Sequence, residues 1–511
     1  MKYSLQQTQH PLFKKILRIN KEKDYKNPFP LKSHGIKYGY ILVVLILILT
    51  HNIIAQHTFE YILRDLEDDL PGTIFETDQG NFICSVKGMQ KVKLIKLSSE
   101  GYLIDSISFI NPDGFSDLTE LTKINDSIFA AFGSYREEGK YFLWYLQFDS
   151  VLNILLNEYI PVQYPIAGEE THTIINTDDN FIIATAFDSV HLNTIVFEID
   201  QSGEMINSSS FPDPYTNFPF DIMEDTLNHT YKLFTLRPFQ RLHSAVAILD
   251  KNLKLISNKS LYPSIHEQNT SLWIDDTTYL LSGKWVDYGK NSEFDLGILK
   301  MNNVDSILTS FYFGAAQEVD WPAMHSNLDF SHINNIFYVS YLSQYIPYNF
   351  SEVPSFIQIS SFDEGLNLRW QRYYGGDAYY IPYSVCATYD SGLLIASSRY
   401  DWNIQDMERD VHILKVNKEG LIVGTDEKST FQTTEAILYP NPGNELINIW
   451  ISGQYKNTRF QLFDMKGKII IEEIISGPKG CIHVEQLKPG PYLFRIFNHD
   501  GLHEEGKWIK K

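Results

Sequence analysis

The chain has 511 residues, 43% hydrophobic and 21% charged, with a formal net charge of −20. That length supports more than one domain and a large core, and the composition excludes a disordered chain. The acidic balance excludes nucleic-acid binding, which needs a basic footprint to displace phosphate counterions, and docking on an anionic lipid surface.

The first element is apolar. Tyr40 to Thr50 reads YILVVLILILT, with Lys32 and Lys37 upstream and small Ala55 just before Gln56. This order of positive, apolar and small residues is that of a secretory signal peptide, with cleavage expected between Ala55 and Gln56. The run is short of the roughly 20 apolar residues of a spanning helix, so a retained single-span anchor is the alternative. The leader before Lys37 is long, basic and polar, as either a long n-region or a start assigned too far upstream would produce.

From about Gly72 to Thr425 one pattern recurs seven times, at a spacing of roughly 50 residues. Its first half is a polar turn followed by an apolar run, as in Asn81-Phe82-Ile83-Cys84, Asn180-Phe181-Ile182-Ile183 and Gly392-Leu393-Leu394-Ile395. Its second half is a strand, a polar turn and another strand, as in KLIKLSSEGYLID around Leu97, AILDKNLKLI around Leu249 and HILKVNKEGLIVG around Val416. Each half reads as a hairpin, because Gly, Asn, Asp and Ser tolerate tight turns. Two hairpins make a four-stranded blade. The abundance of Tyr and Phe, 31 and 32, suits pleated, half-buried surfaces. The expected fold is all-β: a seven-bladed β-propeller over 56–425, with tandem β-sandwiches as the competing architecture. Within it, Trp370, Gly375-Gly376, Asp390-Ser391-Gly392 and Lys415 to Gly420 resemble a repeat common in secreted bacterial propeller-like proteins.

Residues 426–435 read as a polar linker. Residues 436–511 then carry their own strand pattern: strands over Leu446 to Ser452 and Phe460 to Ile475, the latter folded at a turn from Asp464 to Gly467, in a segment long enough to fold alone as a small immunoglobulin-like β-sandwich. Four elements occur here in order: Tyr439-Pro440-Asn441-Pro442; Asp464 with Gly467 and Lys468; Gly490 with Tyr492; and the terminal Lys510-Lys511. In this order they resemble the type A C-terminal sorting domain of type IX secretion, a family of exported Bacteroidetes proteins. Pro491 departs from the family, which usually has an aliphatic residue before the Tyr. The resemblance implies the type IX secretion machinery as partner, passage through the periplasm to the cell surface or medium, and removal of the domain on arrival. An ordinary module retained in the mature protein is the alternative.

Motifs of chemistry are missing. There is no HExxH, nucleophile elbow, Walker loop or dinucleotide fingerprint, and the acidic runs Thr177-Asp178-Asp179-Asn180 and Asp275-Asp276 lack the calcium-loop pattern. No catalytic residue, metal ligand or cofactor is assigned. Cys84, Cys386 and Cys481 are too few for a disulfide framework. A Cys84–Cys386 bridge and free thiols both remain open. Aromatic clusters at Tyr341, Tyr345, Tyr348 and Phe350, and at Tyr373, Tyr374, Tyr379, Tyr380 and Tyr383, suit sugar rings or protein partners, or else packing between blades. Two functions follow: a non-catalytic binding or adhesion module for a glycan or surface protein, with no stable membrane span after processing, or a secreted polysaccharide hydrolase or lyase with carboxylates gathered on the propeller axis.

Overall fold

The structure is a computed structural model that describes residues 57–511 except 65–67, 89–90, 112–115, 189–191, 212–217, 238–242, 287–293, 315–318, 332–335, 344–351, 405–407, 423–435, 440–442, 452–457, 478, 499–502 and 511. The apolar run, the Ala55/Gln56 junction and the linker 426–435 therefore lie outside the described residues. Among the described residues the secondary structure is β throughout, with no helix.

Seven antiparallel sheets follow one another along the chain, and in the first five every strand pairs with its sequence neighbour. The first sheet comprises Leu70–Glu76, Phe82–Lys87, Lys91–Leu97 and Leu103–Ile110. The second comprises Glu120–Lys123, Ile128–Glu137, Lys140–Asp149 and Ile154–Val162; the third, Ile166–Ile175, Phe181–Asp188, Leu192–Ile199 and Met205–Phe211. The fourth runs Phe218–Asp225, Thr230–Arg237, His243–Leu249 and Leu255–Ser260; the fifth, Glu267–Asp275, Thr278–Val286, Phe294–Asn302 and Ile307–Phe313. In the sixth, Val319–Pro322 and Leu328–Phe330 both pair with Ile336–Ser343, followed by Phe356–Phe362 and Leu368–Gly375. The seventh has Tyr379–Ala387, Leu393–Tyr400 and Asp410–Val416. Phe82, Phe181 and Leu393 occupy equivalent places: each opens the second strand of its sheet and pairs with the last residue of the first strand.

The seventh sheet corrects one expectation. HILKVNKEGLIVG is expected to give two strands, but among its described residues only the strand Asp410–Val416 forms. The fourth strand is Phe59–Leu63, from the other end of the chain, paired in register from Phe59↔Lys415 to Leu63↔Val411. The strand set is thus not complete between Gly72 and Thr425, because its last member precedes Gly72.

Burial grades across each sheet. In the first, Phe82–Lys87 and Lys91–Leu97 are buried almost throughout, whereas Leu103–Ile110 is mostly exposed. The turn into each outer strand repeats one device. A side-chain oxygen at Ser98, Asp149, Asp200, Asp250, Asn302, Asp363 or Asn417 accepts from the backbone N–H four residues on. The residue three positions on takes positive φ in every case: Gly101, Leu152, Gly203, Leu253, Asp305, Leu366 and Gly420. Leucine is unusual there, since the left-handed conformation costs roughly 1–2 kcal/mol. Leu152, Leu253 and Leu366 are buried in core clusters, and burying a leucine is worth about 1.5–3 kcal/mol, enough to offset that strain. Gly420 has a different reason. A Cβ there would lie 2.5 Å from the Trp370 ring of the preceding sheet, so the motif's Trp and Gly are two sides of one contact.

The C-terminal segment folds as two sheets, one of Ala436–Tyr439, Leu446–Ile451 and Lys479–His483, the other of Ile469–Ile475, Thr458–Phe463, Gly490–Phe497 and His503–Lys510. Both contribute to one core built on Ile447, Ile449, Phe460, Leu462, Ile482, Ile496 and Trp508. The Asp464-to-Gly467 turn forms as read, with Gly467 N donating to Asp464 O at 2.9 Å. All three cysteines are free thiols, with Cys84 buried and Cys481 exposed, so the Cys84–Cys386 bridge is not formed.

Candidate functional site

The inner strands of the seven sheets touch in sequence and close on themselves, because that of the seventh lies against that of the first. Hydrogen bonds follow the same circuit. Ser384 Oγ donates to Gly72 O (2.8 Å) and Tyr389 N to Glu76 Oε2 (2.6 Å), tying the seventh sheet to the first. Thr73 Oγ1 donates to Glu120 Oε2 and Thr173 N to Glu120 Oε1, both at 3.2 Å, so one carboxylate joins three sheets. Thr177 N donates to Glu224 Oε2 (2.9 Å), Ser271 N and Oγ to Asp221 Oδ2 (2.7 and 2.8 Å), and Ala387 N to Asp329 Oδ2 (2.6 Å). Asn327 N donates to Thr270 Oγ1 (3.0 Å) and completes the ring.

The sequence explains why side chains do this work. The inner strands are interrupted by register shifts at Pro71/Ile74, Ala167/His172, Pro219/Asp221, Gln268/Ser271 and Pro382/Ser384. Bulges free backbone N–H groups from the ladder, as at Ser271, and the inner strand of each sheet also has one unpaired edge. Acids of a neighbouring sheet accept from these groups.

Within this circuit stand Glu120, His172, Asp221 and His325, from four different sheets. Each keeps part of its surface open, and the carboxyls and His172 are enclosed by protein, as in a narrow internal space. Burial pushes Glu120 up to about 8, with the Asp221 charge adding, and raises Asp221 to about 6 against its three hydrogen bonds. Burial lowers His172 to about 3, with His325 adding. Among the described residues no group of three or more His, Cys, Asp or Glu is placed to hold a metal ion.

These shifts have a stability consequence. Glu120 is harder to ionise folded than unfolded, so its contribution is full below about pH 4.5 and is lost as pH rises to about 8. Above pH 7 the Asp221 and His172 contributions are spent, and comparison with a Glu120 variant cancels those of the Cys84 and Cys386 thiols, which burial also raises. Calorimetry should show a stability that falls between pH 7 and 9 by at most about 1.4 kcal/mol, since a single unit separates pH 7 from the folded value of Glu120, and a melting temperature that falls with it. Glu120→Gln, which keeps an acceptor for Thr173 N, should flatten that fall and be the more stable form at pH 9. An unchanged slope in the variant would refute the assignment.

The aromatic residues singled out in the sequence divide. The Tyr341 side chain and residues Tyr345, Tyr348 and Phe350 lie outside the described set. Tyr374 and Tyr380 pack on a core shared with Phe337 and Trp370, and Tyr379 and Tyr383 pack with Trp321 and Tyr400. Tyr373 donates to Gln371 Oε1 at 3.0 Å.

In the C-terminal segment, register gathers motif elements that are far apart in sequence. Gly490 pairs with Lys510, and Phe463, just before the Asp464 turn, pairs with Leu493. Gly443, directly after Tyr439-Pro440-Asn441-Pro442, bridges to Lys510, and its N–H donates to Ile509 O at 2.9 Å. Lys510 Nζ donates to Asn444 Oδ1. Asp464, Gly467, Lys468, Gly490, Tyr492 and Lys510 therefore stand towards one end of this unit. Tyr492 packs 6.1 Å from Trp508, and its hydroxyl donates to Lys488 O. Pro440, Asn441, Pro442 and Lys511 lie outside the described residues.

Residues 437–511 match the family described as the secretion system C-terminal sorting domain. The segment is a type IX sorting domain, as its four motif elements implied. It marks the chain for secretion out of the cell and implies contact with that machinery. No helix among the described residues is long and apolar enough to cross a membrane. No curated protein matches the chain. Among solved structures it is similar to the periplasmic gluconolactonase of Pseudomonas aeruginosa, at 9% identity over 69% of this chain and 97% of that one, with a TM-score of 0.45. It is also similar to the WD40 domain of SCAP from fission yeast (12%, 69% and 83%, 0.37) and to a protein of unknown function from Dyadobacter fermentans (10%, 70% and 97%, 0.39).

Proposed function

We propose that the sorting domain, an immunoglobulin-like β-sandwich over 436–511, delivers a seven-bladed β-propeller to the cell surface or medium, where the propeller acts as a non-catalytic binding module. The sheet circuit closed by Phe59–Leu63 supports the propeller. A signal peptide cut between Ala55 and Gln56 would leave that strand in the mature chain. The motif end of the sandwich, around Asp464, Gly490 and Lys510, is the part offered to the secretion machinery.

One observation carries the non-catalytic reading. Five acids of the inner strands, where a propeller enzyme would gather its catalytic groups, already hold backbone N–H groups of neighbouring sheets. Glu76, Glu120, Asp221, Glu224 and Asp329 are latches. Moving any of them to protonate a substrate would open a sheet junction. The purified protein is therefore expected to show no turnover of esterase, protease, phosphatase or polysaccharide substrates.

A second reading, the secreted polysaccharide hydrolase or lyase, draws on Glu120 itself. A carboxyl held protonated at neutral pH beside a second acid is the property of a general acid. Turnover abolished by Glu120→Gln or Asp221→Asn, with the fold retained, would replace the binding reading with this one.

A further inference from the structure

The hairpin of Ile128–Glu137 and Lys140–Asp149 is longer than its counterpart in the first sheet, at ten residues a side against six and seven. It turns tightly through Glu138 and Gly139, both at positive φ. Its extension, together with Pro165 and Ile166 at the start of the third sheet, lines an open cleft of about 260 Å³. Ser134 pairs with Leu143 and Arg136 with Tyr141, so these four share one face of the hairpin. That face packs towards the third sheet, since Phe132, Leu143 and Ile166 belong to one core cluster.

Three features make this a built site. Ser134 is 3% exposed, yet its Oγ has no hydrogen-bond partner among the described residues. A buried hydroxyl left unpaired keeps its desolvation penalty uncompensated, so a ligand hydroxyl that meets it is favoured. Arg136 is exposed and lies over the Tyr141 ring, 5.6 Å from its centroid. It has no ion pair among the described residues, although the chain carries 63 acids against 43 bases. The remaining wall is ring and aliphatic surface from Tyr141, Pro165 and Ile166. The volume falls below the roughly 300–1,000 Å³ of drug-sized pockets, which suits a single ring.

We propose that this cleft binds a pyranose that carries a carboxylate, a uronate-type sugar residue; the proposal rests on the binding-module reading. The sugar's C–H face lies on the Tyr141 and Pro165 wall, a ring hydroxyl pairs with Ser134 Oγ, and the carboxylate meets the Arg136 guanidinium. A neutral sugar leaves the guanidinium without a charge partner. A plain aromatic acid leaves Ser134 unpaired. The guanidinium fork matches a carboxylate in a way that an ammonium does not.

The test titrates the full protein with D-galacturonate, D-galactose and benzoate, read by calorimetry or ligand-observed NMR. Galacturonate should bind saturably and at least tenfold more tightly than either control. Arg136→Gln should erase the preference over galactose. Ser134→Ala, which removes a buried unpaired hydroxyl and so should not harm folding, should weaken galacturonate severalfold without lowering the melting temperature. Galacturonate no tighter than galactose, or binding indifferent to Arg136→Gln in a folded variant, overturns the assignment. In a wider glycan screen, a ligand whose binding ignores Arg136 and Ser134 would overturn the cleft and leave the binding module standing. Turnover that depends on Glu120 or Asp221 would overturn the module itself.

Discussion

A chain ending at Glu435 should melt within about 2 °C of the full-length body transition, and none of it should leave the cell. The core of the sorting domain is drawn wholly from its own segment, from Leu438 to Trp508, and the clusters of the seven sheets are drawn from residues before Thr425. Removing the segment therefore takes away no side chain on which the body's core depends. Export is another matter, because the sorting signal is the segment itself. The truncated protein should collect in the periplasm of the native host, seen by fractionation. The same segment fused to an unrelated exported reporter should carry it out. A point substitution sharpens the test. Trp508 is fully buried at the centre of a core serving only about 75 residues. Trp508→Ala should cost about 3–5 kcal/mol, more than so small a core can spare, and should abolish export with the body's transition unchanged. Normal secretion of the truncated chain would make the segment an ordinary module instead.

Much of this architecture is legible in sequence because its signals are local. The second strand of each sheet is an apolar run behind a polar turn, and each outer turn carries its Ser, Asp or Asn acceptor at a fixed place. The strand Phe59–Leu63 is not legible in the same way. FEYIL is short, stands outside the repeat, and its partner lies some 350 residues away at Asp410–Val416. Leu152, Leu253 and Leu366 also hide their role, since nothing about a leucine announces positive φ; only burial in the finished core permits it. The latch acids could not be told from catalytic ones by type or spacing, because what distinguishes them is which N–H of a neighbouring sheet they meet. The Ser134–Arg136 cleft was missed for the same reason. Its residues alternate along one ordinary strand, and the wall that completes it belongs to the following sheet. The aromatic clusters drew notice by density, but several of them prove to be packing.

The strand that sequence reading missed should have the largest effect on the body. Phe59 is 8% exposed, its ring lies 5.7 Å from that of Phe82, and a Cβ on Gly101 would fall 2.4 Å from it. It thus joins the seventh sheet to the first, as Trp370 over Gly420 joins the sixth to the seventh. His412 Nε2 and Glu60 Oε1 add a 3.0 Å contact across the same pair of strands. Phe59→Ala should cost about 3–5 kcal/mol, the range for a phenylalanine lost from a core. Ile206→Ala, on the outer strand of the third sheet and 52% exposed, should stay within about 0.5 kcal/mol. Deleting residues 57–64 should do more than either. The ladder of Asp410–Val416 would be left as an open edge, and the seventh sheet would lose the strand that makes it a joint product of both ends of the body. The expected result is loss of the cooperative transition in calorimetry and of the near-ultraviolet aromatic signal, with aggregation. A synthetic peptide of residues 57–64 added during refolding should restore part of both, by pairing as the missing strand. A deletion variant that melts like the parent would show the circuit to be held by the inner-strand latches alone.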